Sequence, residues 1–325
     1  MKAFPLCLAV AVLSLVHVAA QQGGRPGGAP FDLNARLQWE LQAPWGIAHR
    51  EALIEGGKLT IMNPVNIDAV RVEPFKMFDN VYYVGIRHVS AYLITTSEGL
   101  VLLDTSLPDT TELMLENIRK IGFKPEDIKY VLISHSHADH FGGAGRVKQL
   151  SGARVVSSAQ DWAAIEAAQA APPQQGRGGF TGVRLARDMV KGEGDTLKVG
   201  DNEFKFYLTP GHTVGALSAE FKVVDRGRAY RALSPGGLGI QFGAEWTERY
   251  AQGLAHLKRL GPWDVILTNH PFYLIEDTQT IRRGLANLGS GPHPMYSGPA
   301  RIDAWFDGIL KVAQAKRAAE QAAAR

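Results

Sequence analysis

The segment Ser134-His135-Ser136-His137-Ala138-Asp139-His140-Phe141-Gly142-Gly143 gathers three histidines and a carboxylate within six residues. It follows the apolar run Tyr130 to Ile133, and groups this polar at the end of a buried strand are costly unless something binds them. If the strand continues through the first two histidines, their i, i+2 spacing turns both imidazoles to one side, where both can hold one metal ion. Asp139 and His140 come where the chain must turn into a helix, and they offer one oxygen and one nitrogen at a neighbouring point. Two more histidines stand at strand-to-loop junctions: His212 in Thr209-Pro210-Gly211-His212-Thr213 and His270 in Thr268-Asn269-His270-Pro271. Either one alone reads as an ordinary surface or capping histidine. Beside the first cluster they complete a two-metal set. Serine-hydrolase chemistry is the rival, but the chain has no Gly-x-Ser-x-Gly, and Ser134-His135-Ser136 lacks an orienting third group.

The elements that must position these residues are legible in outline. Val81 to Val84, Ala91 to Ile94 and Leu100 to Asp104 read as a meander of strands. Leu113, Met114, Ile118 and Ile121 keep a helical period between Asp109 and Gly122, so the next strand, Tyr130 to Ile133, closes a parallel crossover. Arg146 to Leu150 and Gln160 to Ala170 read as helices around a strand at Arg154 to Ser157, and Ala171 to Gly182 as a long loop. Later strands are expected at Thr196 to Val199, Glu203 to Leu208, Ala216 to Val224, Arg228 to Leu233 and Val265 to Thr268, with Asp225-Arg226-Gly227 as a hairpin turn. Helices are expected at Trp246 to Leu260 and Ala300 to Ala324.

Length and composition bound the rest. The 325 residues are 45% hydrophobic and 21% charged, a globular composition, and a net charge of +3 without a basic stripe argues against a nucleic-acid partner. Lys2, the apolar run Phe4 to Ala20 and the small residues Val18-Ala19-Ala20 form the pattern of a secretory signal peptide, 1–20, cleaved after Ala20. The run is shorter than the ~20 residues of a spanning helix, so no membrane association is expected once it is removed. Cys7, the single cysteine, leaves with it, which removes disulfides and cysteine ligands together. A flexible lead-in, 21–44, opens on the Gly/Gln/Pro stretch Gln21 to Pro30 and precedes one folded domain, 45–325.

His135-x-His137-x-Asp139-His140, Gly211-His212-Thr213 and His270 together resemble the metallo-β-lactamase superfamily, over about Glu73 to Leu310. The resemblance implies an α/β fold of α+β type, the αβ/βα sandwich of two mixed sheets between helices. Within the superfamily the pattern is most similar to the third subclass of class B β-lactamases, which uses histidines and one aspartate without a cysteine. That likeness implies two zinc ions per chain, the first on His135, His137 and His212 and the second on Asp139, His140 and His270. It also makes Asp139 catalytic, orienting a metal-bound hydroxide that opens the lactam. Asp104 is similar in place to the superfamily's aspartate behind the ligands, and a strand-end cap is an equal reading.

Many relatives, thioesterases and homoserine-lactone lactonases among them, place a bridging aspartate on the strand after Gly-His-Thr. Here that strand reads Ala229-Tyr230-Arg231-Ala232-Leu233-Ser234, and Asp225 falls in the turn. Its absence favours a lactamase. Ser234 is the only serine near the place where the subclass holds the substrate carboxylate, so Ser234 and His88 are the candidate substrate contacts. His49, His256 and His293 are assigned structural roles. The expectation is a periplasmic zinc hydrolase of small-molecule β-lactams, of open oligomeric state. The alternatives are a same-fold hydrolase of a lactone, thioester or other ester, and an iron oxidoreductase of that fold.

Overall fold

The computed structural model describes Trp39, Gln42, Ala43 and residues 67–324 apart from 173–178, 241–242, 275–277, 288, 290–292 and 296–297. The signal segment 1–20, nearly all of the lead-in 21–44, and residues 45–66 with His49 lie outside the described residues, as does 173–178 of the long loop.

Strands β1 (Phe75–Phe78), β2 (Val81–Tyr83), β3 (Tyr92–Thr96) and β4 (Gly99–Leu103) form the expected antiparallel meander. Helix α1 (Thr111–Lys120) carries the chain back, so β5 (Ile128–Leu132) lies parallel to β4. Helices α2 (Ala138–Phe141) and α3 (Ala144–Ser151) lead to β6 (Arg154–Ser157), and α4 (Ala159–Ala170) leads to β7 (Met189–Val190), both strands parallel to their neighbours. Strands β8 (Thr196–Val199), β9 (Asn202–Leu208), β10 (Leu217–Asp225) and β11 (Arg228–Ser234) make a second, antiparallel sheet. After α5 (Ala244–Leu260), β12 (Val265–Ile266) joins it parallel to β11, and α6 (Thr278–Ala286) and α7 (Pro299–Ala323) follow. Sheet orders are β1-β2-β3-β4-β5-β6-β7 and β12-β11-β10-β9-β8. The expected sandwich of two mixed sheets between helices is the observed fold.

The period-2 alternation of the strands decides the layering. Tyr92, Ile94, Val101 and Leu103 turn towards Phe204, Phe206, Ala219 and Phe221, forming an apolar layer between the sheets. The intervening residues Leu93 and Leu102 face away, onto Met114 and Ile118 of α1 and Trp162 and Ile165 of α4. On the other outer face Tyr207 and Leu233 pack with Tyr250, Leu254 and Leu257 of α5 and Ile302, Phe306 and Ile309 of α7. No described helix is long and apolar enough to cross a membrane.

The hairpin expected at Asp225-Arg226-Gly227 is tighter than read from the sequence. Asp225 is the last residue of β10, paired with Arg228, and the turn is Arg226-Gly227 alone. Both turn residues have positive φ, 49° and 77°, as a two-residue turn matched to strand twist requires.

Candidate metal centre

Strand β5 does not extend through His135 and His137, contrary to the sequence expectation. It ends at Leu132, and although Ile133 N–H still donates to the Val156 carbonyl, the next amides turn to side chains. Ser134 N–H donates to Asp104 Oδ1 at 2.8 Å, and Ser136 N–H donates to Asp161 Oδ2 at 3.0 Å. Two carboxylates thus replace the ladder and bend the segment, and the imidazoles still meet, with His135 Nε2 3.1 Å from His137 Nδ1. Helix α2 starts at once, so Asp139 and His140 fall in its first turn.

His212 follows β9 and His270 follows β12, two strands that run in the same direction, and the Leu217 N–H bond to the Ser134 carbonyl joins this sheet to the segment that follows β5. Six residues assemble there into the two expected groups, His135 with His137 and His212, and Asp139 with His140 and His270. Within each group the possible ligand atoms lie within 4.8 Å of one another. All six are buried except His137, which is partly exposed.

The hydrogen bonds behind the imidazoles fix which nitrogen faces inward. His140 Nδ1 lies 2.9 Å from Asp104 Oδ2, His212 Nδ1 lies 2.6 Å from the Gly239 carbonyl, and His270 Nδ1 lies 2.6 Å from the His88 carbonyl. None of these oxygens has a proton to give, so each Nδ1 carries the hydrogen and each Nε2 is left towards the centre of its group. His135 follows the same rule one step removed: Ser134 Oγ donates to Asp104 Oδ2 at 2.7 Å and stands 3.0 Å from His135 Nδ1. Asp104 therefore reaches one ligand of each group. Its backbone φ of 59° lets the carboxylate serve both as a strand-end cap, on Ser134 N–H, and as a brace behind His140. The two readings of Asp104 left open by the sequence are both realised.

The donor set fits a pair of cations. His140 Nε2 and His270 Nε2 stand 3.3 Å apart, and Asp139 Oδ2 is 3.2 Å from the first and 3.6 Å from the second. Two nitrogens this close need a cation or a proton between them. Burial opposes charge on His140, but Asp139 and Asp104 outweigh it and push its pKa up to about 10. Burial likewise opposes ionisation of Asp139, yet His140, His270 and His137 hold its carboxyl well below the usual range. Burial and the neighbouring histidines push His135 well below the ordinary imidazole value, which leaves it neutral and ready to ligate.

Sequence reasoning missed two supports. Asp161, at the start of α4, accepts hydrogen bonds from Ser136 N–H, Thr213 Oγ1–H and Gly215 N–H, and so joins the loops that carry the first group. Asn269 places its amide 3.3 Å from His135 Nδ1 while the next residue is the His270 of the other group. Asp161 lies 21 positions and more from any ligand, so no local motif marks it; a carboxylate three residues after Ser158 at a helix start reads only as a cap. Gly237 packs on His212, where an added Cβ would lie 2.6 Å from Cδ2 of the ring.

Ser234 ends β11 and is buried opposite Ala219. His88 is buried, and its carbonyl holds His270. His256 pairs with Glu193 at 2.8 Å and His293 contacts the Met77 carbonyl, both away from the metal groups.

This sandwich, with two ligand groups at the ends of its strands, defines a metallo-hydrolase of the metallo-β-lactamase fold. The model of the Metallo-beta-lactamase superfamily matches residues 84–224 of this chain. Its structure is similar to that of BJP-1, a subclass B3 metallo-β-lactamase of Bradyrhizobium japonicum, with TM-score 0.69 and 28% identity over 81% of this chain and 100% of that one. The fold is also that of the native FEZ-1 metallo-β-lactamase from Legionella gormanii, with TM-score 0.67 and 24% identity over 78% of this chain and 98% of that one. In sequence, the chain is 28% identical to a hydroxyacylglutathione hydrolase of Cereibacter sphaeroides over 172 residues, 52% of this chain and 58% of the relative. An N-acyl homoserine lactonase of Bacillus cereus is 32% identical over 18% of this chain and 32% of its own length. The chain thus spans little more than half the length of the first of these curated relatives.

Proposed function

We propose that this protein is a secreted dinuclear zinc hydrolase that opens β-lactam rings in the periplasm and so protects against β-lactam antibiotics. The observation that carries the reading is the ligand set, five histidines and Asp139, with no further carboxylate joining either group among the described residues. Lactonase-type and thioesterase-type relatives are expected to bridge their metals with a second aspartate, and β11 offers Ala232, Leu233 and Ser234 in its place. The likeness to a subclass B3 enzyme along its whole length supports the same choice. Export is supported by the leader pattern of Met1 to Ala20.

Bound zinc would supply Lewis acidity for the carbonyl and the means to ionise water near neutral pH. A donor set dominated by imidazole, with a single carboxylate, suits zinc better than iron. His135, His137 and His212 would hold one ion, and Asp139, His140 and His270 the other. Asp139, ionised and acceptor-only, would orient the attacking water and would not donate a proton. Ser234 and His88 remain the candidate substrate contacts.

A second reading, hydrolysis of a lactone, thioester or other ester, is favoured by the curated sequence relatives and by Leu233 and Pro235 flanking Ser234. The test is a side-by-side assay of the zinc-loaded protein on penicillins, cephalosporins, carbapenems, homoserine lactones and glutathione thioesters. Elemental analysis of the purified protein separates zinc from iron.

A further inference from the structure

The first ligand group is built from two loops far apart in sequence, 134–137 and 209–215, and a single buried carboxylate ties them. Asp161 Oδ2 accepts from Ser136 N–H at 3.0 Å and from Thr213 Oγ1–H at 2.8 Å, and Oδ1 accepts from Gly215 N–H at 3.0 Å. Ser136 lies between His135 and His137, and Thr213 directly follows His212, so each bond sits one residue from a ligand. A backbone bond, Leu217 N–H to the Ser134 carbonyl at 2.8 Å, runs between the same segments. The second group makes no such contact with Asp161; it is braced by Asp104 and the His88 carbonyl.

Asp161 is fixed in its turn. Its own N–H donates to Ser158 Oγ at 3.1 Å, the cap of α4, so the carboxylate is carried on a helix rather than on a loop. Burial of an ionisable group is expensive, and three donors offset that cost only if both loops stay where they are. A helix cap alone needs none of them.

We propose that Asp161 is a positioning residue that sets the geometry of the first metal group, clamping its two loops in one register, while the second group takes its braces from elsewhere. The inference rests on the two-metal reading above. It concerns only how this chain's residues are held.

The test measures zinc affinity in two backgrounds, His270→Ala, which keeps the first group whole, and His212→Ala, which keeps the second. Asp161→Asn should weaken zinc binding by about 10- to 100-fold in the His270→Ala background, the usual cost of losing a partner behind a ligand. In the His212→Ala background the loss should be several-fold smaller, because Asp139, His140 and His270 make no bond to Asp161 and are braced by Asp104 and the His88 carbonyl. Ser158→Ala removes the cap but keeps all three donors to the Asp161 carboxylate, and should lower the melting temperature while costing far less zinc affinity in the His270→Ala background than Asp161→Asn does. Thr213→Val deletes one of the three donors and should give a smaller, first-group-only loss; it decides the question if Asp161→Asn does not fold.

A second readout needs no metal. In the chelator-treated protein, Asp161→Asn should speed hydrogen exchange at the Ser136 and Gly215 amides and not at Ile133, so the clamp is tested even if the native chain binds no zinc. Equal losses in both backgrounds, or zinc binding and amide exchange unchanged by both Asp161→Asn and Thr213→Val, would overturn the proposal.

Discussion

Asp104 Oδ2 accepts the Nδ1–H of His140 at 2.9 Å, and both side chains are buried at the joint between the first sheet and α2. The same oxygen takes the Ser134 hydroxyl, which stands behind His135. Replacing this carboxylate should therefore harm the second group directly and the first through one intermediary. Asp104→Asn is the informative change, because asparagine tolerates the φ of 59° that alanine would resist. Zinc affinity of the second group should fall by about 10- to 100-fold and that of the first by less, as read by competition with a chelator. Equal affinities in mutant and parent would remove Asp104 from the account.

Metal uptake should release a proton. In the metal-free protein His140 titrates near 10 and holds a proton towards Asp139, so at pH 7 an incoming cation must displace it. Calorimetry of zinc binding in buffers of different ionisation enthalpy should report about one proton lost at pH 7. Loss of none would mean that His140 is already neutral.

The same shift predicts how the metal-free fold responds to pH. His140 binds its proton more tightly folded, with a pKa of about 10, than unfolded, at about 6.5. Its contribution to stability is thus fully present below pH 6.5 and is lost as pH rises towards 10. Denaturant melts of the chelated protein should show a larger alkaline loss for the parent than for His140→Ala.

Gly237 lies so close to His212 that a methyl group has no room beside the ring. Gly237→Ala should displace His212, cost roughly 1–3 kcal/mol of stability by overpacking, and weaken the first group's hold on zinc. A crystal structure with His212 unmoved would contradict this.

The residue pattern made the ligands legible because histidines that no core tolerates unpaired were crowded at strand ends. Most strands were legible too, since alternation in runs such as Tyr92-Leu93-Ile94 reports both faces of a sheet. The strand ending at Leu132 was misjudged because its stop is not local: acceptors from Asp104 and Asp161, 30 and 25 residues from the amides they take, end the ladder. Asp161 itself was missed for the same reason. Strands β1 and β7 and helix α6 carry too few residues, or too mixed a composition, for a period to show.

Substrate recognition is addressed through Pro235, because Leu233 packs on α5 and α7 and a serine there would damage the core. If the carboxylate of a lactam is held weakly, Pro235→Ser should lower KM more than it changes kcat, the pattern of restored uniform binding. A change confined to kcat would place the loop in the chemistry instead.

The central claim is most directly tested by kcat/KM of the zinc-loaded protein on β-lactams, homoserine lactones and glutathione thioesters in one assay series. The account predicts ring opening of at least one penicillin, cephalosporin or carbapenem with the highest kcat/KM of the set, abolished by chelation and restored by zinc. A lactone or thioester cleaved at a much greater kcat/KM than every lactam would contradict it.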